Sequence, residues 1–189
     1  RSAKVSGGGM LYDWSVHLID QMLDLIDSEP ESVFVDAVKV RFPEVDDCNK
    51  ILVKFKNGVR YQIVVDSWCY IGENRWHICG DDGTAVVPVW GDVKGKIIKA
   101  NIKEIGWEEG FVFTSNGRSS TMAPRPVEKL QTFDAPVPEL PPWEEFYHNF
   151  TASIEGRDKP IVTHEQIRLV MKVLDACFRS MESGNAERV

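Results

Sequence analysis

An aspartate and a histidine stand four residues apart near the start of the sequence, in the stretch SGGGMLYDWSVHLID. Apolar residues recur at helical spacing from Leu11 onward, so Asp13 and His17 are expected one turn apart on the same face of a helix. An imidazole can act as general acid or base near neutral pH, and a carboxylate one turn away can bind a substrate hydroxyl or favour the protonated imidazole. The pair is therefore a candidate catalytic site.

A structural role explains the same spacing. Asp13 can be a first-turn carboxylate favoured by the helix dipole, and His17 can be an incidental polar residue. The glycines that precede them do not form helix, and they allow a ligand to approach the backbone closely. Gly9 and Trp14 are accordingly candidate substrate contacts beside the Asp and His pair.

A second candidate binding segment is YIGENRW, from Tyr70 to Trp76, where Asn74, Arg75 and Trp76 combine amide, guanidinium and aromatic groups. These groups can contact a polar ligand, and an ordinary polar turn is the alternative. His77 and Cys79 alternate onto one face of a predicted strand, but two ligands do not make a metal site, so no metal is expected. The sequence holds no P-loop and no G-x-G-x-x-G between a strand and a helix.

The elements that must position these residues follow from the hydrophobic period. Period-two alternation predicts strands in four segments, the second containing an Asn57-Gly58 hairpin turn: 32–42, 50–68, 75–91 and 95–105. Residues 107–142, rich in Pro, Ser and Gly, are predicted to form a long surface loop. Hairpin-linked strands indicate an antiparallel sheet with one face free for helices, one helix before it and two after it. The fold class is α+β.

The closing helix carries clear end signals. Thr163 and Gln166 form a capping box, and Gly184 is a natural stop. Its apolar stripe is expected to face the core and consists of Ile167, Val170, Met171, Leu174 and Phe178.

Composition narrows the class of protein. A chain of 189 residues is expected to form a single domain, 1–189, and 43% hydrophobic with 27% charged residues is ordinary for a soluble protein. A net charge of -7 argues against nucleic-acid binding, and no apolar run approaches the roughly 20 residues of a membrane span. Four scattered cysteines without a CxxC pair predict reduced thiols in a cytoplasmic protein.

The strand patterns also predict self-association. Both alternating sets of the segment 32–42 contain apolar residues, as do both sets of RYQIVVDSW. Helices on one face would leave groups such as Val38 and Val64 exposed on the other, and contiguous patches of this kind usually mark an interface. A homo-oligomer formed through the sheet face is expected.

The opening stretch GGGMLYDWSVHLID resembles the G-G-G-x-L-x-D-x-G-x-H-x-x-D segment of the glucose–fructose oxidoreductase and inositol dehydrogenase family (Gfo/Idh/MocA). PIVTHEQIRLVMKVLDACFRSMESG looks like the closing helix of the same family. The resemblance implies an open-faced antiparallel sheet of the dihydrodipicolinate-reductase-like C-terminal type. It also implies a substrate domain that partners an N-terminal domain binding NAD or NADP.

In this family the motif's Asp and His map onto Asp13 and His17. The resemblance implies that His17 exchanges the proton of a substrate hydroxyl on a sugar, cyclitol or related polyol, while Asp13 positions that hydroxyl. The family's usual Gly two residues after the Asp is Ser15 here, which adds bulk near the site. There are two alternatives. One is an NAD-dependent glycosidase of the same architecture, and the other is a non-catalytic domain for ligand binding or association.

The nucleotide-binding domain of the family has no counterpart in the sequence, which begins with Arg. The chain is therefore expected to be a piece of a longer oxidoreductase and to be inactive alone.

Overall fold

The computed structural model describes residues 2–90, 94–100, 110–121, 127–136 and 141–189. Three α-helices are present, α1 (Val16–Leu25), α2 (Glu144–Ile154) and α3 (His164–Ser183), and a π-helix, Leu11–Ser15, runs directly into α1. Short 3-10 turns lie at Lys4–Ser6 and Val127–Lys129. None of the helices in the described ranges combines the length and apolar character needed to cross a membrane.

Ten strands complete the described structure. They are β1 (Pro30–Val38), β2 (Cys48–Phe55), β3 (Arg60–Asp66), β4 (Trp76–Gly80), β5 (Gly83–Val87), β6 (Lys96–Lys99), β7 (Gly110–Thr114), β8 (Gly117–Thr121), β9 (Gln131–Asp134) and β10 (Glu187–Arg188). All strand pairs are antiparallel, in three sheets of order β10-β1-β2-β3, β4-β5-β6-β9 and β7-β8. The predicted α+β class with antiparallel sheets is confirmed.

The described contacts divide the chain into two compact units, Arg1–Cys69 with Pro142–Val189, and Tyr70–Pro141. The first unit contains the β10-β1-β2-β3 sheet and all three α-helices, and the second contains the other two sheets. That residues 1–189 act as a single domain stays a prediction.

The core of the first unit forms where α1 and α3 pack on one face of its sheet. Its fully buried members come from every layer and include Leu11, Ile19, Met22, Val33, Ile51, Val53, Phe55, Val173, Leu174 and Cys177. Alternate residues of the strands point into this core, because successive side chains of a strand point to opposite faces. Phe34, Val38 and Leu52 lie on the opposite face and are 36–50% exposed.

The first strand ends earlier than its alternating pattern predicts. Alternation continues to Phe42, yet β1 stops at Val38. The fully buried Asp47 accepts the backbone N–H groups of Val40, Arg41 and Phe42 at 2.7, 2.7 and 3.2 Å, so these donors are taken from any neighbouring strand. The prediction of a strand across 39–42 was wrong because the Asp47 side chain accepts the backbone N–H groups that would otherwise hydrogen-bond a neighbouring strand.

The hairpin predicted at Asn57-Gly58 is confirmed between β2 and β3. Asn57 Oδ1 accepts the Val59 N–H at 3.1 Å, and Ile51 faces Ile63 directly across the ladder. β4 and β5 form the next hairpin around Asp81 and Asp82, as the sequence predicts.

The prediction of a long loop for residues 107–142 was wrong for much of the part of this range that the structure describes. It contains β7 and β8, joined at Asn116-Gly117, and β9, which pairs with β6. β8 and β9 are short and polar, and β7 has three consecutive apolar residues, so none of the three alternates clearly, but Asn-Gly is itself a hairpin signal. Residues 101–109, within which the end of the fourth predicted strand falls, lie outside the described residues.

The closing helix begins and ends as predicted. Thr163 and Gln166 form the reciprocal capping box, and Gly184 ends the helix with φ 67°. The predicted stripe is only partly correct, because Ile167 and Met171 are 49% and 50% exposed. The face that packs on the sheet instead runs through Val170, Val173, Leu174, Cys177 and Ser180.

Candidate active site

Four of the predicted site residues, Gly9, Asp13, Trp14 and His17, lie on one continuous segment of the first unit. Asp13 and Trp14 belong to the π-helix Leu11–Ser15, and His17 follows in the first turn of α1. Asp13 is half-buried with its Oδ2 atom shielded from solvent, whereas Trp14 and His17 are exposed. The rings of Trp14 and His17 meet edge to face with centroids 6.3 Å apart.

The loop that leads into this segment is fastened to residues 44–47. Met10 N–H donates to the Asp46 backbone oxygen and Leu11 N–H to Asp46 Oδ2, both at 3.0 Å. Gly9 has φ 110°, and a Cβ built on it would lie 2.4 Å from Asp46 Oδ1. Gly9 is thus required by the packing of the protein's own carboxylate, which is a sufficient reason for a glycine here.

Three buried polar residues that sequence reasoning missed or undervalued support the same segment. Ser15 Oγ donates to Asn49 Oδ1 at 2.9 Å, and Asn49 Nδ2 donates to Asp46 Oδ2 at 3.0 Å. Ser15, Asp46 and Asn49 are 0%, 4% and 2% exposed. No sequence signal distinguishes Asp46 from the exposed acidic residues around it, because burial of a charged side chain depends on distant partners.

The arrangement places an accessible imidazole and a sheltered carboxylate on a firmly anchored turn. An exposed histidine can exchange protons with a bound hydroxyl, and a half-buried carboxylate can orient such a hydroxyl by accepting its hydrogen bond. This is the donor and acceptor set that oxidation of an alcohol requires on the substrate side.

The other predicted binding residues, Asn74, Arg75 and Trp76, belong to the second unit. The Arg75 guanidinium lies between two indole rings, 4.2 Å from the Trp76 centroid and 4.0 Å from that of Trp90. Asn74 is exposed. The segment is therefore organised around a cation–π stack that the sequence alone did not indicate.

His77 and Cys79 of β4 do lie on one face, with Nε2 and Sγ 3.7 Å apart. Within the described part of the chain no group of three or more His, Cys, Asp or Glu side chains is placed to hold a metal ion. All four cysteines are free thiols.

An open groove of about 260 Å³ lies at the ends of β1, β2 and β3 and includes neither Asp13 nor His17. Asp36, Val38, Lys50 and other residues of the three strands line it, together with Cys48, whose thiol donates to Asp66 Oδ1 at 3.1 Å. Burial and this hydrogen bond raise the pKa of the Cys48 thiol to about 11. The thiol is therefore protonated near neutral pH and is a poor nucleophile.

An antiparallel sheet with helices on one face, preceded by a glycine loop and a turn that carries an Asp and a His, defines the fold as the dihydrodipicolinate-reductase-like C-terminal type. Residues 1–86 match the family model described as GFO/IDH/MocA C-terminal domain. The family resemblance carried by the opening motif is confirmed over these residues.

Solved structures share this fold. An NAD-binding protein from Listeria innocua is 34% identical over 100% of this chain and 53% of its own, with a TM-score of 0.84. The WlbA dehydrogenase from Bordetella pertussis, solved with NADH and UDP-GlcNAcA, is 17% identical over 96% of this chain and 45% of its own, with a TM-score of 0.54.

A third structure is the UDP-N-acetylglucosamine 3-dehydrogenase GnnA from Acidithiobacillus ferrooxidans, 14% identical over 92% of this chain and 49% of its own, with a TM-score of 0.65. At 17% and 14% identity the likeness shows the fold alone. The chain spans about half the length of these structures. A search of the curated proteins finds no match.

Proposed function

We propose that this chain is the substrate domain of a cytoplasmic NAD(P)-dependent oxidoreductase that acts on a sugar, a cyclitol or a related polyol. The observation that carries the proposal is the exposed imidazole of His17, four residues after the half-buried carboxylate of Asp13, on the anchored turn of a Gfo/Idh/MocA domain. The dehydrogenases of similar fold, which are named for or solved with UDP-sugars, support a sugar derivative as substrate.

In the proposed reaction Asp13 accepts the hydrogen bond of the substrate hydroxyl and so fixes its position. His17 takes the hydroxyl proton as the alcohol is oxidised, and it returns a proton to the carbonyl oxygen in the reverse direction. The nicotinamide of a bound NAD or NADP would supply the hydride acceptor for this oxidation, or the hydride donor for its reverse. The exposure of His17 lets it pass the proton onward to solvent, so the proton balance closes without another titratable group.

The dinucleotide itself is proposed to be held chiefly by a separate nucleotide-binding domain, and either NAD or NADP fits the present observations. A dinucleotide's pyrophosphate needs a glycine-rich turn between a strand and a helix N-terminus. The sequence has no such motif, and the space beside Gly9 is occupied by the Asp46 carboxylate. The residues present fit the substrate side of the reaction and not the phosphate side.

Substitution of His17 tests the assignment in the dehydrogenase that contains this domain. His17→Ala should lower kcat by roughly 10²–10⁴, the loss expected for a positioned general acid or base, and should remove the limb of the pH profile that it sets. His148→Ala is the matched control, since His148 is equally exposed but lies on α2. Unchanged turnover of reduced nicotinamide by His17→Ala, across the pH range, would leave His17 without a catalytic role.

The second expectation concerns the 189-residue chain alone. Because it lacks the phosphate-binding turn, we expect it to be inactive and to show no useful affinity for NADH or NADPH. Titration calorimetry with each dinucleotide measures this directly. Binding at micromolar concentration would contradict the proposal that a separate nucleotide-binding domain holds the dinucleotide.

A further inference from the structure

The π-helix that carries Asp13 is held at both of its ends by one chain of buried side chains. Its first residue, Leu11, donates its N–H to Asp46 Oδ2 at 3.0 Å, and its last residue, Ser15, donates its hydroxyl to Asn49 Oδ1 at 2.9 Å. Asn49 Nδ2 closes the connection by donating to Asp46 Oδ2 at 3.0 Å. We refer to Ser15, Asn49 and Asp46 as the polar clamp.

We infer that the polar clamp sets the π turn and thereby positions Asp13 and His17 relative to one another. π turns are rare in proteins and occur mostly as single turns within α-helices, often at functional sites. Here the turn is specified from outside the helix, by residues 34 and 35 positions away in the sequence. Ser15, Asn49 and Asp46 are positioning residues on this inference, since they act through the turn.

The direction of each hydrogen bond in the clamp is determined by chemistry. An ionised carboxylate only accepts hydrogen bonds, so the Asn49 amide must turn its NH₂ group toward Asp46 and its oxygen toward Ser15. Ser15 must then donate. Removing the Ser15 hydroxyl leaves Asn49 Oδ1 buried without this donor, and buried polar groups in proteins are nearly always satisfied.

The clamp matters for the proposed reaction because of helix geometry. A π turn advances fewer degrees per residue than the roughly 100° of an α-helix, so conversion of the π turn to an α turn would rotate Asp13 relative to α1 and His17. Such a rotation would change the direction of the Asp13 carboxylate relative to the His17 imidazole. The inference rests on the proposed function for what the pair does, but not for how the turn is held.

Amide hydrogen exchange of the 189-residue chain tests the clamp without any catalysis. In Ser15→Ala, exchange at the Leu11–Ser15 amides should accelerate at least tenfold relative to the amides of β2. Ser180→Ala is the matched control, because Ser180 is also 0% exposed and its hydroxyl accepts the Val35 N–H and donates to the Asn185 backbone oxygen rather than to the π turn. This control should leave the ratio unchanged even where it lowers overall stability.

A coupling experiment separates the clamp from general loosening of the core. If Ser15 acts through Asn49, Ser15→Ala should have no further effect on the exchange ratio in an Asn49→Ala background. Ser15→Cys, which is close in size and a weak donor, replaces Ser15→Ala should the latter not fold. A ratio within twofold of wild type in the Ser15 variant, or full additivity with Asn49→Ala, would overturn the inference.

The kinetic readout distinguishes this inference from the proposed function. In the active dehydrogenase, Ser15→Ala should lower kcat and shift the pH profile, whereas Ser180→Ala should leave the profile in place. A changed exchange ratio together with full activity of His17→Ala would retain the clamp and reject the proposed function. An unchanged exchange ratio together with an inactive His17→Ala would reject the clamp and retain the proposed function.

Discussion

Gly9 illustrates how a single residue ties the opening loop to the rest of the domain. Its φ of 110° is one that side-chain-bearing residues rarely adopt, and its Cα faces the Asp46 carboxylate. A flexible glycine run before a helix is easily interpreted as an access route for ligand. The geometry instead makes Gly9 part of the packing that holds the site in place.

Replacement of Gly9 should therefore cost more than replacement of Gly7. Gly9→Ala combines backbone strain with a collision against Asp46 Oδ1, and we expect it to lower the free energy of unfolding by about 3 kcal/mol. Gly7 has φ 68° with open space around it, so Gly7→Ala should cost only about 1 kcal/mol. Urea denaturation of both variants measures the difference, and equal losses would contradict the packing role assigned to Gly9.

At the scale of elements, one carboxylate determines where β1 ends. Burial by itself raises the pKa of Asp47, but the backbone N–H groups of Val40, Arg41 and Phe42 outweigh burial and hold that pKa below its ordinary value. A carboxyl group with a lowered pKa stabilises the fold when it is ionised. Its contribution is present above the unfolded pKa of about 3.9 and is lost as the pH falls through the folded value.

Asp47→Asn should remove this stabilisation. The neutral amide cannot satisfy three N–H groups as the carboxylate does, so we expect the unfolding free energy at pH 7 to fall by about 1–3 kcal/mol. The steepness of stability loss below about pH 4 should fall as well. Asp36→Asn, on the exposed face of β1, is the control. Urea denaturation across a pH series would disprove the role of Asp47 if both variants followed the wild-type curve.

At the scale of the molecule, the first unit has α1 and α3 packed on one face of its sheet, and apolar side chains of the other face are exposed. The uncovered face carries Phe34 opposite Leu52, and Asp36 opposite Lys50, with Val38 at its edge. Phe34, Leu52 and Val38 are 36%, 49% and 50% exposed. The same face also carries charged side chains, among them Asp36, Lys50, Lys54, Arg60 and Asp66, so an interface formed here would combine an apolar patch with charge pairs.

We propose that two copies of the chain associate through this face. Sedimentation equilibrium at micromolar concentration should give at least twice the 21.4 kDa of the monomer, since a stable interface would bury roughly 1,000 Å² or more. Leu52→Lys should shift the protein to monomer. Leu25→Lys is matched in exposure, at 52%, but lies at the end of α1 and should leave the dimer intact. A monomeric wild-type mass would disprove the association.

The sequence by itself determined the features that depend on neighbours along the chain. The Asn57-Gly58 hairpin, the Thr163 capping box and the Gly184 stop are each specified within a few residues, and each is present. The opening motif likewise identified the family and proposed Asp13 and His17 from a local pattern. Local turn chemistry and hydrophobic period are sufficient for such features, because their energies arise from contacts of short range.

The tertiary structure alone decided how those local features are held. The π turn, the early end of β1, and the pairing of β10 with β1 all depend on partners far away in the sequence, such as Asp46 with Leu11. Asp46 and Asp47 are adjacent carboxylates in the sequence, and both are buried. The physical reason is that a buried carboxylate is stable only where folding brings several N–H donors to it. A local sequence pattern does not show which residues will supply those donors.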